Sequence, residues 1–343
     1  MSRKPVSIVA VGDGHVTSSP SLERLRYEHE LRALAGQVRE YAARMNARAV
    51  AWTGDLLHSK GKSTPADIYL AARLAQTMAR DLDIPVASVP GNHDMIGFSR
   101  KSVQKQPFGV LSCTNQIRDV SMCAEAVGGP GERVLILGAP FGGDLPKAIT
   151  HVKAVAANAA SSKLVTTADK PIGCVVLLHE EVARGYAVKL ARALAVSVRK
   201  EAAVSGPVVV VNGHIHDAQW DEPDDANLVY FCSAGVFGRV SRAEKNVVPQ
   251  LVHVAFRQTR GAPIIRRVDL ECETGDACFR ESAIESAAAV DVTPFIEQLR
   301  TSAVSARSNK ERWREAVELA GERTKADPGI VRAALSYLGE EDQ

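Results

Sequence analysis

Ile84-Pro85-Val86-Ala87-Ser88-Val89-Pro90-Gly91-Asn92-His93-Asp94 runs from an apolar segment straight into a polar turn. The apolar part suits a short buried strand. The glycine then allows the chain to turn and present Asn92, His93 and Asp94 at the strand's carboxyl end, where open α/β sheets carry their chemistry. Working outward, the same sentence recurs. Val6–Val11 ends in Gly12-Asp13-Gly14-His15, and Ala49–Thr53 ends in Gly54-Asp55-Leu56-Leu57-His58. Ile172–Leu178 ends at His179, and Pro207–Val211 ends in Asn212-Gly213-His214-Ile215-His216.

Between these runs lie helical patterns. Ser19-Pro20 opens one that runs through Leu22, Leu25, Leu31, Leu34, Val38, Tyr41 and Met45, and Thr64-Pro65 opens a second that runs to about Leu82. In both, a capping hydroxyl stands before proline at the first helical position. Further helices are expected over Asp144–Ser161 and Glu181–Val204, with a strand at Arg133–Ala139, while residues 95–130 show no regular pattern. The β-α-β-α-β order predicts parallel strands and right-handed crossovers. Beyond Leu228 the runs Leu228–Ser233, Gln250–Phe256 and Ile264–Leu270 lack intervening helices and predict a second, mostly antiparallel sheet. Phe295–Ala320 and a segment capped by Asp327-Pro328 read as helices. The expected organisation is an α/β domain over residues 1–271 and a mostly helical extension over 272–343.

Bulk properties bound the function. The 343 residues are 45% hydrophobic and 24% charged, with a net charge of +2. That balance excludes a chain dominated by nucleic-acid electrostatics, so any DNA surface must be local. No apolar run approaches the roughly 18 residues of a membrane span, and the N-terminus has no secretory pattern, so a cytoplasmic location without membrane association is expected. The six cysteines form no C-x-x-C pair and are expected to be reduced.

Six of the nine histidines fall at the strand-end stretches. Together with Asp13, Asp55 and Asn92 they make a set of carboxylate, imidazole and amide donors without thiolate. Such a set suits manganese, iron or zinc. Such a number of donors exceeds one tetrahedral ion and matches two ions that share a carboxylate. Two ions about 3.5–4 Å apart can bind a phosphate and activate water for in-line displacement.

The order D-x-H, G-D, G-N-H-D, H, G-H-x-H is similar to that of the calcineurin-like metallophosphoesterase superfamily, over about Val6 to His216. The resemblance implies a two-sheet α/β/β/α sandwich followed here by the helical extension. It implies that Asp13, His15 and His216 hold one metal, that Asn92, His179 and His214 hold the other, and that Asp55 bridges them. It gives His93 the leaving-group side and Asp94 the support of its loop. Within the superfamily, Gly54-Asp55-Leu56-Leu57-His58 resembles the G-D-L-F-H of SbcD-type repair nucleases, with Leu57 in place of Phe; this branch would give His58 a part in handling DNA. Ser233–Ser241 resembles that branch's G-S-x-x-R stretch. The branch implies two divalent ions, with manganese expected and iron, zinc or magnesium as alternatives. It also implies DNA as substrate and a coiled-coil ATPase of SbcC type docked on the C-terminal helices. A homodimer, and a phage or prophage version, are compatible with it. Arg100, Lys101, Lys105, Arg239, Arg242 and Lys245 are the candidate DNA-phosphate contacts. The alternative function is a phosphatase or phosphodiesterase acting on nucleotides, small molecules or phosphoproteins.

Overall fold

The computed structural model describes residues 4–280, except 22–23, 80, 98, 163, 167–168, 183–184, 218–223, 225 and 258–260, together with 317–318 and 331. The chain divides into two compact units, Met1–Cys278 and Phe279–Gln343. The expected helices beyond Phe295 lie outside the described residues. Residues 272–278 belong with the first unit because they are tied back to it: the Leu25 amide donates to the Cys278 carbonyl and Arg239 donates to the Glu273 carbonyl.

In chain order the elements of the first unit begin with β1 (Val6–Val11), α1 (Tyr27–Arg44), β2 (Ala47–Trp52), α2 (Pro65–Ala79) and β3 (Val86–Ser88). Next come α3 (Arg100–Val103), α4 (Pro107–Cys113), β4 (Arg118–Asp119), β5 (Glu125–Val127), β6 (Val134–Gly138), α5 (Leu145–Ser161) and β7 (Gly173–His179). The unit closes with α6 (Ala187–Ala202), β8 (Val208–Gly213), β9 (Val229–Ser233), β10 (Gln250–Phe256), β11 (Ile264–Asp269) and α7 (Gly275–Cys278). They form a six-stranded sheet, β11-β10-β1-β2-β3-β4, and a five-stranded sheet, β5-β6-β7-β8-β9.

Strand alternation builds the layers. Val9 and Val11 face α1 and α2, where they pack with Leu31, Leu34, Trp52 and Leu74. Ile8 and Ala10, one residue out of phase, face the other sheet and meet Val175, Leu177, Val209 and Val211. Across that second sheet Val176 and Val210 pack against Val152, Leu190 and Leu194 of α5 and α6. The central strands β1, β7 and β8 are buried on both faces, which is why they read as unbroken apolar runs. The result is the expected α/β/β/α sandwich.

Three expectations change. The strands after Leu228 do not make a sheet of their own. Strand β9 pairs parallel with β8, and β10 and β11 extend the first sheet antiparallel from β1. A parallel pair needs a crossover of a dozen or more residues, usually a helix; between β8 and β9 residues 214–228, which carry two ligand histidines, make it. Helix α1 starts at Tyr27 rather than at Ser19. The Ser18 amide and hydroxyl both donate to the Asp67 carboxylate of α2, so that segment is held across the helix ends instead of capping its own. Thr64 does cap α2 as expected, and the Asp67 carboxylate accepts from the Thr64 amide in return. Residues 95–130 contain α3, α4, β4 and β5, elements too short to leave a periodic signal. All six cysteines are free. Among the described residues no helix is long and apolar enough to cross a membrane.

Candidate metal centre

Parallel strands β1, β2 and β3 of one sheet and β7 and β8 of the other end at one edge of the sandwich. Their carboxyl ends deliver Asp13 and His15, Asp55, Asn92 and His93, His179, and His214 and His216. Close approach of these turns requires glycine. A Cβ on Gly91 would fall on the Asp55 carboxylate and amide, and one on Gly213 would stand 2.5 Å from Asp13 Oδ1 and 2.7 Å from His179 Nδ1. His15, Asp55 and His214 adopt φ of 45°, 43° and 72°. Non-glycine residues in that left-handed region cost of order 1 kcal/mol or more each and cluster where side chains must be aimed.

The donor atoms converge in two groups. Asp13, His15 and His216 offer ligand atoms within 4.8 Å of one another, and so do Asp55, His179 and His214. His15 Nε2 lies 2.9 Å from His216 Nε2, and His216 Nε2 lies 3.7 Å from Asp13 Oδ2. Asn92 Oδ1 is 3.1 Å from His179 Nε2 and 3.0 Å from His214 Nδ1. Asp55 Oδ2 faces both groups, 3.2 Å from His179 Nε2 and 3.9 Å from His15 Nε2. With its amide reversed, Asn92 would instead turn its oxygen to Lys60 Nζ at 3.2 Å. Lys60 therefore stands at the mouth of the second group, a position that no strand-end pattern announces.

The donor set fits divalent cations. Burial pushes Asp13 up to about 7, with Asp55 adding to the rise and His179 and His216 opposing it. Burial holds His15 down at about 3, so its lone pair is free for a cation. Burial also works against ionised Asp55, yet His179, His15 and His93 keep its carboxyl well below the usual range. His179, which burial alone would lower, is raised to about 10 by Asp55 and Asp13. A proton on His179 thus supplies part of the positive charge that a cation would supply between the two carboxylates.

Around this core stand supporting groups. His93 donates its amide to Asp55 Oδ1 at 2.7 Å, and its Nδ1 pairs with the His58 carbonyl, which leaves Nε2 as its remaining ring nitrogen. The His58 ring stacks on His93 with centroids 5.8 Å apart, and its Nδ1 is buried without a hydrogen-bond partner. Asp94, which the resemblance assigns to the support of this loop, clamps the backbone. Its carboxylate accepts from the amides of Gly91 at 2.9 Å, Leu56 at 3.2 Å and Leu57 at 3.3 Å, locking the Asn92 turn to the Asp55 turn. Phe141 walls the second group, its ring 5.1 Å from His214.

Glu244, like Lys60, is a residue that sequence reading missed. Its Oε1 lies 2.6 Å from His216 Nδ1, and it is 4% exposed. A carboxylate on the far nitrogen of a ligand histidine fixes the tautomer and raises basicity. The signal was present as Ser241-x-x-Glu244, a capping box that the structure forms. Glu244→Ala should weaken metal binding about 10–100-fold while leaving the fold intact. Calorimetric titration of metal into the variant checks this, and unchanged affinity would remove Glu244 from the site.

The candidate DNA contacts separate. Arg100, Lys101 and Lys105 are exposed on or just after α3, and Arg100 also reaches His151 Nδ1. Arg239 does not face solvent: it is 2% exposed and grips Glu30 through Nε at 3.0 Å and Nη2 at 2.8 Å. Arg242 is half-buried, and Lys245 pairs with Asp276 at 3.1 Å. The loop after β9 is therefore a structural anchor, not a row of free cations.

No curated protein sequence is similar enough to this chain to count as a relative. Among solved structures, the NAD nucleotidase NadN of Haemophilus influenzae is similar at 12% identity and a TM-score of 0.41, covering 77% of this chain and 50% of that one. The chain thus spans half the length of that structure. The family model described as calcineurin-like phosphoesterase matches residues 6–218, which takes in every ligand turn from Asp13 to His216. With the match covering more than half of the sequence and the donor residues gathered at one sandwich edge, the chain belongs to the calcineurin-like phosphoesterase family.

Proposed function

We propose that the protein is a metal-dependent phosphodiesterase that cleaves DNA, of the SbcD type, with manganese as its metal. The observation that carries this reading is the pair of imidazoles, His93 and stacked His58, beside the two ligand groups. Two divalent cations held by Asp13, His15, His216, Asp55, Asn92, His179 and His214 would supply Lewis acidity and an activated water. The residues of the chain do the rest. Asp55 orients the His93 backbone, the His58 carbonyl fixes the His93 ring, and His93 Nε2 is left to give a proton to the departing oxygen. A deoxyribose alkoxide is a poor leaving group and needs that proton, whereas an aryl oxide needs it far less. His58 Nδ1, buried and unpaired, is available to a phosphate oxygen of the same strand. Lys101 and Lys105 supply exposed positive charge for flanking phosphates. Docking of a coiled-coil ATPase on the C-terminal extension belongs to the same proposal and concerns residues outside those described.

A second reading is hydrolysis of a nucleotide or other small phosphoester. It is favoured by the burial of Arg239 and the pairing of Lys245, which leave less cationic surface than a DNA track requires. Incubating the protein with manganese and labelled single- and double-stranded DNA separates the two. Absence of cleavage, alone and with an ATPase partner, together with turnover of nucleotides, would establish the second. His58→Ala should lower DNA cleavage by about 10²-fold and hydrolysis of an aryl phosphodiester by no more than about 3-fold. Equal losses on both substrates would argue against a DNA-handling role for His58.

A further inference from the structure

A third convergence of ligand atoms lies beside the first two and uses imidazole alone. His15, His58 and His93 present ligand nitrogens within 4.8 Å of one another. The His15 ring meets His93 edge-on at 4.9 Å and His58 at 5.7 Å, so three rings surround one point. Two of the nitrogens are unspent: His15 Nδ1 and His58 Nδ1 are buried and make no hydrogen bond, and His15 is 3% exposed. Two buried ring nitrogens without partners carry an uncompensated desolvation cost unless something else binds there. His93 uses Nδ1 on the His58 carbonyl and keeps Nε2.

We propose that His15, His58 and His93 form a third cation site, distinct in chemistry from the two beside it and inhibitory when filled. This inference rests on the phosphoesterase reading above. Ligands at about 2.1 Å from one ion can stand no more than about 4.2 Å apart, so a small rotation of these side chains closes the site. The donor set decides which ions enter. The first two groups contain carboxylates, which accept manganese or magnesium. The third offers three imidazole nitrogens and no carboxylate, a set that suits zinc, nickel or copper and discriminates against manganese and magnesium. An ion there takes the ring nitrogens that the reaction needs from His58 and His93. It takes His15 through Nδ1 while the first group uses Nε2, so His15 would bridge the two ions as an imidazolate, its ring proton released to solvent. Manganese should therefore activate without a high-concentration limit, whereas zinc should activate and then inhibit as a third equivalent binds.

The test measures stoichiometry apart from activity. Metal-free protein is titrated with manganese and, separately, with zinc, and bound metal is counted calorimetrically and by elemental analysis. The wild type is expected to bind two manganese ions but three zinc ions, the third at least about 10-fold more weakly. His58→Ala and His58→Asn should each bind two of either metal, with circular dichroism confirming their fold. Two zinc ions in the wild type, or three in both His58 variants, would overturn the third site. Fewer than two manganese ions in the wild type would instead count against the dinuclear reading, so the two failures are distinguishable. Cobalt gives a second readout: the absorption of the third cobalt equivalent should be missing from both His58 variants, and its persistence would also overturn the proposal.

Discussion

Asp55→Ala should lower kcat/KM for an aryl phosphodiester by at least about 10³-fold, or about 4 kcal/mol at 1.36 kcal/mol per decade. Three features make this the most damaging single change at the site. Asp55 Oδ2 faces both ligand groups, His179 at 3.2 Å and His15 at 3.9 Å, so its loss removes the one carboxylate shared between them. Asp55 Oδ1 accepts the His93 amide at 2.7 Å and so positions His93, the proposed proton donor, as well as the ligand groups. Its negative charge also balances a site that would otherwise hold two dications against Asp13 alone. Asp55→Asn separates these contributions, because the amide oxygen can still accept from His93 while the charge is gone. Its loss should be nearly as large, and bound metal should fall from two equivalents towards one. The fold should survive both changes: burial raises Asp13 and Asp94, Asp55 adds to both by repulsion, and removing it relieves that part. Asp55→Ala protein with two bound metals and more than about a tenth of wild-type activity would dismiss the bridging role.

The ligand turns were legible in sequence because each obeys two rules at once. A buried strand must read as an apolar run, and a ligand turn squeezed between neighbouring turns must carry glycine, as Gly91 and Gly213 show by what a Cβ would strike. These constraints are local, so they leave local traces. Sheet membership is not local. Strand β10 alternates no differently from a strand of an independent sheet, yet the open edge of β1 receives it. The charged edge strand β11, with Arg266 and Arg267 exposed, ends the sheet rather than founding a new one. Glu244 and Lys60 were missed for the same reason. Each reaches the site from a loop whose spacing to the ligands is set by the tertiary fold, and only the capping box around Glu244 had a sequence signature. Arg239 was misread because a loop arginine looks the same in sequence whether it meets DNA or a buried glutamate.

That last distinction carries the second large effect. Glu30→Ala should destabilise the first unit by about 3–5 kcal/mol, the usual cost of breaking a buried ion pair from one side. Glu30 on α1 lies between two arginines: Arg239 donates to both its oxygens, and Arg24 Nη2 stands 2.9 Å from Oε2. Removing the carboxylate leaves two buried guanidinium groups facing each other, whereas Arg239→Ala leaves Glu30 still paired with Arg24 and should cost less. Arg239→Lys should recover little, since a point ammonium cannot replace the two-pronged contact. The pH dependence follows from Glu30 itself. Burial opposes its ionised form, but hydrogen bonds from Arg239 and Cys278 and the charge of Arg24 hold its pKa below the ordinary value. A depressed carboxylate contributes stability that is present above its unfolded pKa of about 4.3 and is lost as pH falls through the folded value. The gap between wild type and Glu30→Ala, measured by urea unfolding, should therefore be full at pH 7 and shrink below pH 4. A gap below about 1 kcal/mol at pH 7 would show that the network contributes little. If Arg239→Ala instead left stability unchanged while lowering DNA affinity, Arg239 would return to the nucleic-acid surface from which its burial removes it.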